Sequence, residues 1–331
     1  MTTTPGPPTD ALHEALAVVA PGTPLRDGIE RIVRAKMGAL LILGDGPDVL
    51  SICSGGFLLD APFSPQRLSE LAKMDGAIIL GSHGQRLARA NVHLVPDPSV
   101  PTTETGTRHR TAERVARSIP VPVVSVSEEM GVISVYAGGQ RHQLQDISRL
   151  LDRANQALQT LERYKVRLDD TLDSLTALEL EDVATIRDVA SVVQRGEMVR
   201  RISAEIETMI VELGVDARLL RLQVDEVNGE INHELELVLA DYPRIANNWA
   251  GHGLDGDAPA TPRGLRLLTR VPRITPPLAN AVVDHFGDLT RLRRATTAEI
   301  AQVDGMDNSL AAAVKETLER ITEASILDQY A

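Results

Sequence analysis

The stretch SPQRLSELAKMDGAIILG, residues 64–81, joins an amphipathic helix directly to an apolar strand. Ser64 and Pro65 suit the cap and the first turn of a helix, and apolar residues follow them at helical spacing up to about position 74. The run GAIILG then has the length and the apolar character of a buried strand. A helix that leads into a buried strand indicates an α/β domain.

Further apolar runs of strand length lie on both sides of this stretch, and each is bounded by Gly, Pro or Asp. The alternation of short strands with short helices predicts an N-terminal α/β domain over residues 1–146. The additional strands are expected in GALLIL (38–43), VLSIC (49–53), VPVVSVS (121–127) and GVISVYAGG (131–139), and a second helix in RTAERVARSI (110–119).

The spacing of apolar residues then changes and predicts an all-α helical spine over residues 147–241. Apolar residues between Ile147 and Leu175 recur at intervals of three and four, which is the signature of a long amphipathic helix. Two more helical segments are expected at about 179–213 and 216–240. We interpret the leucines of these segments as the core of a helical bundle.

The last part of the chain predicts a linker followed by a second all-α domain. Residues 242–264 are rich in Gly, Pro, Asn and Asp and show no apolar periodicity, which favours a flexible linker. Residues 265–331 then show several short helical patterns joined by tight turns.

Composition limits the class of protein. The 331 residues suffice for two or three domains, and no apolar run reaches membrane-spanning length. The first residues lack the basic and apolar regions of a signal peptide, so we expect a cytoplasmic protein without a membrane partner. The net charge of −12 is concentrated in residues 150–250, where 20 acidic residues stand against 11 basic ones. Any contact with nucleic acid must therefore depend on local placement of cations.

Most of the common catalytic motifs are missing from the sequence, but two other stretches stand out. The chain has no Walker loop, no GxGxxG after the first strand, no HExxH and no GxSxG. In the motif DGA, Asp75, Gly76 and Ala77 lie where a helix meets a buried strand, and glycine there permits a close approach of the backbone to a ligand. A carboxylate at the start of a strand is, however, more often a turn or cap residue.

The second stretch, TGTRHRT, places cations at the start of a helix. Thr107 precedes Arg108, His109 and Arg110, and Thr111 can act as an N-terminal hydroxyl. Free amides and arginine forks at a helix start suit phosphate, whereas two arginines alone oppose the helix dipole. A bound polyphosphate would supply the missing negative charge. From these residues alone, phosphate binding and a solvated basic patch are equally good interpretations.

These motifs and their flanks resemble the DisA-type family of diadenylate cyclases. GGF (55–57), SPQRLSELAKMDGAIIL, VHLVPDPSVPTTETGTRHRTAERVAR and PVVSVSEEMGVISVY are similar to the cyclase domain of that family, and LLDRANQALQTLERYKVRLD to the spine of its actinobacterial members. The resemblance covers nearly the whole chain. It implies that two ATP molecules are condensed into cyclic di-AMP and two pyrophosphates, with Mg²⁺ or Mn²⁺. It also implies a homo-octamer whose cyclase domains meet face to face.

The resemblance assigns roles to the residues of both stretches. Asp75 would lie near the attacking 3′-hydroxyl together with the metal, and Gly76 with Ala77 would pack against the nucleoside. The cations and hydroxyls that would hold the triphosphate are Arg108, His109, Arg110, Thr107 and Thr111. The resemblance also implies that Leu94 contacts the adenine, that Ser127 contacts the phosphates and that Glu128 contacts the metal.

The C-terminal residues 265–331 resemble a tandem helix-hairpin-helix module, in which main-chain amides contact DNA phosphates. Arg273, Thr275 and Asp307 stand where this module usually has glycine, and an aspartate beside a DNA phosphate is repulsive. We therefore expect weak binding of branched DNA. The arginines that could still reach a DNA backbone are Arg263, Arg266, Arg270, Arg273, Arg291, Arg293 and Arg294.

Two alternative functions remain open. The first is a catalytically inactive nucleotide-sensing module tethered to a DNA-contacting domain, and the second is an oligomerisation scaffold made of the long helices. Asp75, Arg108 and Arg110 favour the cyclase, because a scaffold has no use for an unpaired cationic cluster at a helix start.

Overall fold

The computed structural model describes residues 10–81, 84–248 and 255–329. The chain divides into two compact units. The first comprises Met1–Gln156 and Glu205–Leu222, and the second comprises Ala157–Ala204 and Gln223–Ala331. None of the helices in the described ranges combines the length and the apolarity that crossing a bilayer requires.

The first unit is built on a mixed eight-stranded sheet. The strands are β1 (Ala39–Leu43), β2 (Cys53–Ser54), β3 (Phe57–Pro62), β4 (Ala77–Leu80), β5 (Arg86–Leu94), β6 (Val123–Val126), β7 (Ile133–Ala137) and β8 (Gln140–Gln143). They follow the order β2-β5-β4-β1-β6-β7-β8, and β3 also pairs with β5. β1 and β4 are parallel, whereas β6 runs antiparallel to β1 on its other side. This confirms the predicted α/β domain.

Helices cover both faces of the sheet. They are α1 (Asp10–Val18), α2 (Pro24–Arg34), α3 (Pro47–Ser51), α4 (Pro65–Leu71) and α5 (Thr107–Ser118). The side chains of β1 alternate between two apolar clusters, with Leu41 in one and Leu40 and Ile42 in the other. Because successive side chains of a strand point to opposite faces, this alternation explains the continuous apolar run in the sequence.

The prediction of a strand at residues 49–53 is wrong. Pro47–Ser51 form helix α3, and the adjoining strand β2 comprises Cys53–Ser54. Pro47 occupies the first turn, where proline's missing amide costs nothing, and Val49 is the buried residue of the helix. A short apolar run fits one turn of helix as well as a strand, so periodicity could not separate the two.

Three long helices form the predicted spine. They are α6 (Ile147–Glu181), α7 (Ile186–Leu213) and α8 (Arg218–Asp241), with a short 3₁₀ turn at Gly214–Ala217 between the last two. The amphipathic spacing therefore predicted the helices correctly. Helix α7 begins at Ile186 rather than at about 179. Residues 182–185 are not helical, because the positive φ of Asp182, 61°, ends helix α6.

The segment expected to be a linker carries structure in its described part. Pro243–Asn248 form helix α9, and Pro259 makes an isolated β-bridge with Thr185. The amides of the two residues that follow Thr185 also donate to carbonyls of this segment, at 3.0 and 2.9 Å. These bonds fix the second half of the segment against the start of α7.

The C-terminal residues form the predicted short helices. They are α10 (Leu265–Leu268), α11 (Pro276–Phe286), α12 (Leu289–Arg294), α13 (Thr297–Ile300) and α14 (Asn308–Gln329). Asp307 does not project freely from the second hairpin, since its carboxylate accepts the Leu310 amide at 2.7 Å and so caps α14. In the first hairpin, Arg273 adopts a φ of 67°, the left-handed conformation that favours glycine.

The expectation that Arg266 could reach DNA is wrong. Its side chain is 1% exposed, and it donates to Glu179 Oε2 at 2.5 Å and to Thr176 Oγ1 at 2.9 Å. Glu179 also accepts the Tyr242 hydroxyl at 2.7 Å, and Asp241 accepts the backbone amides of Leu265 and Arg266 at 2.6 and 2.9 Å. Buried charges persist in this way when they are paired. Arg266 therefore joins α10 to α6.

Candidate active site

The pairing of the central strands brings the predicted motifs to one edge of the sheet. Leu41 of β1 pairs with Ile78 of the parallel strand β4, so Gly38, one residue before β1, and Asp75, two residues before β4, lie at the same edge. β6 runs the other way and pairs Val126 with the first residue of β1, so Ser127 follows at that edge as well. Neighbouring strands lie about 4.8 Å apart, which places these three backbone positions side by side.

The end of β5 reaches the same edge. β5 is antiparallel to β4 and pairs Val92 with Ala77, so Leu94 lies just beyond it in the same direction as Asp75. The side chains of Ala77 and Leu94 are 1% and 7% exposed and belong to the core beneath the edge. The contacts predicted for them with a nucleotide stay predictions.

Gly76 is required by the neighbouring strand. Its φ is +95°, and an added Cβ would lie 2.9 Å from the carbonyl carbon of Asn91 and 2.9 Å from the carbonyl oxygen of Val92. The Asn91 side-chain amide also donates to the main-chain oxygen of Asp75 at 2.9 Å. The turn is thus fixed from the side of β5. The Asp75 carboxylate is exposed and has no hydrogen bond or ion pair to residues of the described ranges.

Helix α5 begins earlier than the sequence predicted. Its first residue is Thr107, and Gly106 at the cap has a φ of 80° and no side chain with which to bond the first amides. Thr111 therefore lies one turn inside the helix and is not its N-terminal hydroxyl, which corrects the expectation. The shift arises because Gly106 can adopt the positive φ at which the loop turns into the helix. The first turn holds no acidic residue.

Arg108 connects this helix to the sheet edge. An added Cβ on Gly38 would lie 2.5 Å from Arg108 Cζ, so the guanidinium lies directly against that glycine. Arg110 points to solvent. Neither arginine has an ion pair with an acidic residue in the part of the chain that the structure describes. The structure thus brings Asp75, Arg108 and Ser127 to one edge.

His109, in the first turn of α5, is half-buried and contacts a network of polar side chains. Its Nδ1 lies 3.1 Å from the Tyr136 hydroxyl, and Tyr136 donates to Glu104 Oε1 at 3.2 Å. Arg141 forms an ion pair with the same oxygen at 2.8 Å. Burial lowers the pKa of His109, and burial together with Glu104 raises the pKa of Tyr136. Sequence reasoning missed Glu104, Tyr136 and Arg141, because nothing local indicates that they meet.

A second carboxylate, Glu113, holds the loop that leads into α5. It is 7% exposed and accepts the Thr102 hydroxyl at 2.5 Å and the Thr103 amide at 3.0 Å. Arg117 pairs with it at 2.7 Å. Two sets of contacts therefore hold the start of α5. One is made by Glu113, which belongs to the helix, and the other by Glu104, which belongs to the loop before it.

The two residues predicted to bind a metal ion, Asp75 and Glu128, are exposed carboxylates. Asp75 lies at the sheet edge, and Glu128 follows Ser127 in the turn that the Gly131 amide closes on the Ser127 carbonyl at 3.0 Å. Across residues 10–81, 84–248 and 255–329, no group of three or more His, Cys, Asp or Glu side chains could hold a metal. Mg²⁺ is commonly held by one or two carboxylates together with substrate phosphates and water. The two carboxylates fit such a substrate-dependent ion.

Comparison with known proteins shows which family models the chain matches. Residues 26–141 match the family model DAC, described as DisA bacterial checkpoint controller nucleotide-binding. Residues 144–251 match the family model for the DisA bacterial checkpoint controller linker region. The first matched range lies in the sheet domain, and the second contains the three long helices.

Curated relatives align over nearly the whole chain. A DNA integrity scanning protein DisA from Frankia casuarinae is 49% identical, and the alignment covers 98% of this chain and 99% of that protein. Proteins of the same name from Kineococcus radiotolerans and Streptomyces coelicolor are 47% and 45% identical, over 98% and 96% of this chain and 98% and 94% of theirs.

Proposed function

The chain belongs to the DisA family of diadenylate cyclases, and from this membership we propose that it condenses two ATP molecules into cyclic di-AMP with release of two pyrophosphates. It is an enzyme of the nucleotidyltransferase class. The observation that carries the proposal is the pair Arg108 and Arg110 at the uncapped start of α5, neither of which forms an ion pair with an acidic residue of the described ranges.

The start of α5 supplies the phosphate site in this proposal. The amides of its first turn and the positive end of the helix dipole favour a phosphate group. Arg108 would bind the triphosphate from the sheet edge, and Arg110 would bind it from the solvent side. The Thr107 hydroxyl would be an additional hydrogen-bond donor. These groups offset the charge that builds on the departing pyrophosphate, which is how positioning and electrostatics act in phosphoryl transfer.

Asp75 is the residue proposed to meet the attacking 3′-hydroxyl. Its carboxylate is exposed and has no partner among the described residues, and its backbone is fixed by Asn91, so it can accept a hydrogen bond from the hydroxyl without rearrangement. Asp75 and Glu128 would hold Mg²⁺ or Mn²⁺, which when bound neutralises negative charge on the phosphates. Ser127 and Leu94, at the same edge, are proposed to face the phosphates and the adenine.

Closure of the ring requires two copies of the site. Each 3′-hydroxyl must attack the α-phosphate of the other nucleotide, so one domain that holds one ATP cannot complete the product. We therefore propose a homo-oligomer, an octamer in line with the family resemblance, in which the cyclase domains face each other in the cytoplasm.

Branched DNA is proposed as a weak regulator through the C-terminal helices. The relatives are named DNA integrity scanning proteins. In this chain Arg266 is buried and Arg293 donates to the Leu180 carbonyl, so fewer arginines are free to meet a DNA backbone than the sequence suggested. A Holliday junction should therefore inhibit turnover weakly and only at low salt.

The decisive experiment is to incubate the purified protein with ATP and Mn²⁺ or Mg²⁺ and to detect cyclic di-AMP by chromatography. Asp75→Asn should still bind ATP but not convert it, and Arg108→Ala should lower kcat/KM by about 100-fold. Asp48→Asn and Arg31→Ala, which alter exposed residues of the same unit, are the matched controls. Nucleotide binding without turnover in the wild type would favour the inactive sensing module instead.

A further inference from the structure

The His109 side chain is held by a hydrogen-bond chain that ends at an ion pair. Its Nδ1 lies 3.1 Å from the hydroxyl of Tyr136, which is 1% exposed. That hydroxyl donates to Glu104 Oε1 at 3.2 Å, and Arg141 donates to the same oxygen at 2.8 Å. Four residues from α5, β7, β8 and the loop before α5 therefore meet at one point.

The chemistry of these groups determines which nitrogen of the ring carries hydrogen. A carboxylate can only accept hydrogen bonds, so the one proton of the Tyr136 hydroxyl is directed to Glu104. The hydroxyl oxygen can then only accept from His109, and Nδ1 must be the protonated nitrogen. In the neutral imidazole this leaves an unshared electron pair on Nε2. Because burial and Glu104 raise the pKa of Tyr136, the hydroxyl remains a donor at neutral pH.

A neutral ring of this kind cannot donate to a phosphate oxygen from Nε2, because that nitrogen carries a lone pair and no hydrogen. Burial lowers the pKa of His109, Arg141 and Arg108 act in the same direction, and Glu104 opposes them. The free protein therefore holds the ring neutral at neutral pH. A triphosphate at the start of α5 adds negative charge beside the ring and favours its protonated form.

We propose that Glu104 and Tyr136 are positioning residues that hold His109 with Nδ1 protonated, and that His109 takes up a proton from solvent at Nε2 when the triphosphate binds. This inference rests on the proposed function, since it takes the phosphates to lie at the start of α5. The acquired proton converts Nε2 from an acceptor into a donor. Glu104, acting through the Tyr136 hydroxyl, stabilises the resulting imidazolium.

Calorimetry of nucleotide binding tests the proton uptake. The full chain is titrated with a non-hydrolysable ATP analogue and Mg²⁺ at neutral pH, in two buffers that differ in ionisation enthalpy. The wild type should take up about one proton per site. His109→Gln should lose this uptake, whereas Arg31→Ala, on the exposed side of α2, should retain it.

Kinetics of three variants test the positioning role. Tyr136→Phe keeps the buried ring and removes the hydroxyl, so we expect KM for ATP to rise about 3- to 10-fold with a smaller change in kcat. Glu104→Gln retains an acceptor for Tyr136 and should stay closer to wild type than Glu104→Ala. A merely structural role would lower the melting temperature of the variants without changing the number of protons taken up.

The outcomes separate this inference from the function on which it rests. A wild type that makes cyclic di-AMP but binds the analogue without proton uptake overturns the inference, and so does His109→Gln with unchanged uptake. A wild type that neither binds nor converts ATP contradicts the proposed function itself.

Discussion

The guanidinium of Arg108 lies against the α-carbon of Gly38, at a distance that leaves no room for a side chain on that glycine. Gly38 immediately precedes β1, and Arg108 belongs to the first turn of α5. This contact holds the phosphate-binding arginine of the proposed site over the sheet edge that also carries Asp75.

Gly38→Ala should therefore impair catalysis with little loss of stability. The backbone at Gly38 is not in the left-handed region, so the added methyl group acts only by displacing the end of the Arg108 side chain. A displacement of about 1 Å can cost about 100-fold in kcat/KM. Steady-state kinetics and the melting temperature check this expectation.

Gly46→Ala is the matched control, because an added Cβ there meets nothing within 4 Å. It should leave kcat/KM near the wild-type value. Full activity in Gly38→Ala would show that the position of Arg108 against Gly38 does not matter for turnover.

Acid should weaken the contacts by which Glu113 holds the loop before α5. Burial raises the pKa of Glu113, but hydrogen bonds from the Thr102 hydroxyl and the Thr103 amide, with Arg117, outweigh it and leave the pKa lowered. The folded state therefore favours the ionised form. The stability that this contributes is complete above the ordinary value of 4.5 and is lost as the pH falls through the lowered pKa.

Glu113→Gln should consequently flatten the loss of melting temperature as the pH is lowered from about 6 to about 3. Glu70→Gln serves as the control, since Glu70 is an exposed carboxylate that forms a surface ion pair with Lys73. If acid lowered the melting temperature of Glu113→Gln as steeply as that of the wild type, the proposed role of the Glu113 contacts would be contradicted.

Arg266→Met should strongly destabilise the second unit. The substitution leaves the Glu179 carboxylate buried without its cation, and breaking a buried pair from one side typically costs about 3–5 kcal/mol. The double variant Arg266→Met with Glu179→Leu should recover much of this loss, because no buried charge of the pair then remains. Denaturant unfolding measures both.

The control for this prediction is Arg263→Met, which removes a partly exposed pair with Asp284 at 2.5 Å. It should cost about 1 kcal/mol or less. An equal loss for Arg263→Met and Arg266→Met would show that burial of the Arg266 pair does not set its contribution.

Arg273→Gly should stabilise the C-terminal helices. Arg273 holds a φ of 67°, a conformation that costs a residue with a Cβ about 1 kcal/mol relative to glycine. The free energy of unfolding should rise by up to about that amount. Arg270→Gly, a nearby exposed arginine outside the positive-φ residues, should bring no gain. A loss of stability in Arg273→Gly would mean that the Arg273 side chain contributes more than its backbone strain costs.

Local patterns in the sequence determined the α/β domain, the three long helices and the short C-terminal helices. Apolar runs bounded by turn residues predicted β1, β4, β6 and β7, and leucine spacing predicted α6. The strands β3, β5 and β8 escaped prediction, because polar residues interrupt them, as in RLARANVHL of β5. Their pairing comes from neighbours distant in sequence.

The sequence also singled out Asp75 and Arg108 by residue type and motif. Only the tertiary structure decided that Arg108 packs against Gly38, that His109 contacts Tyr136, and that Arg266 is buried. The physical reason is that strand pairing and burial depend on contacts between segments far apart in the chain. A residue's type states which bonds it can make, whereas its environment in the fold decides which of them it makes.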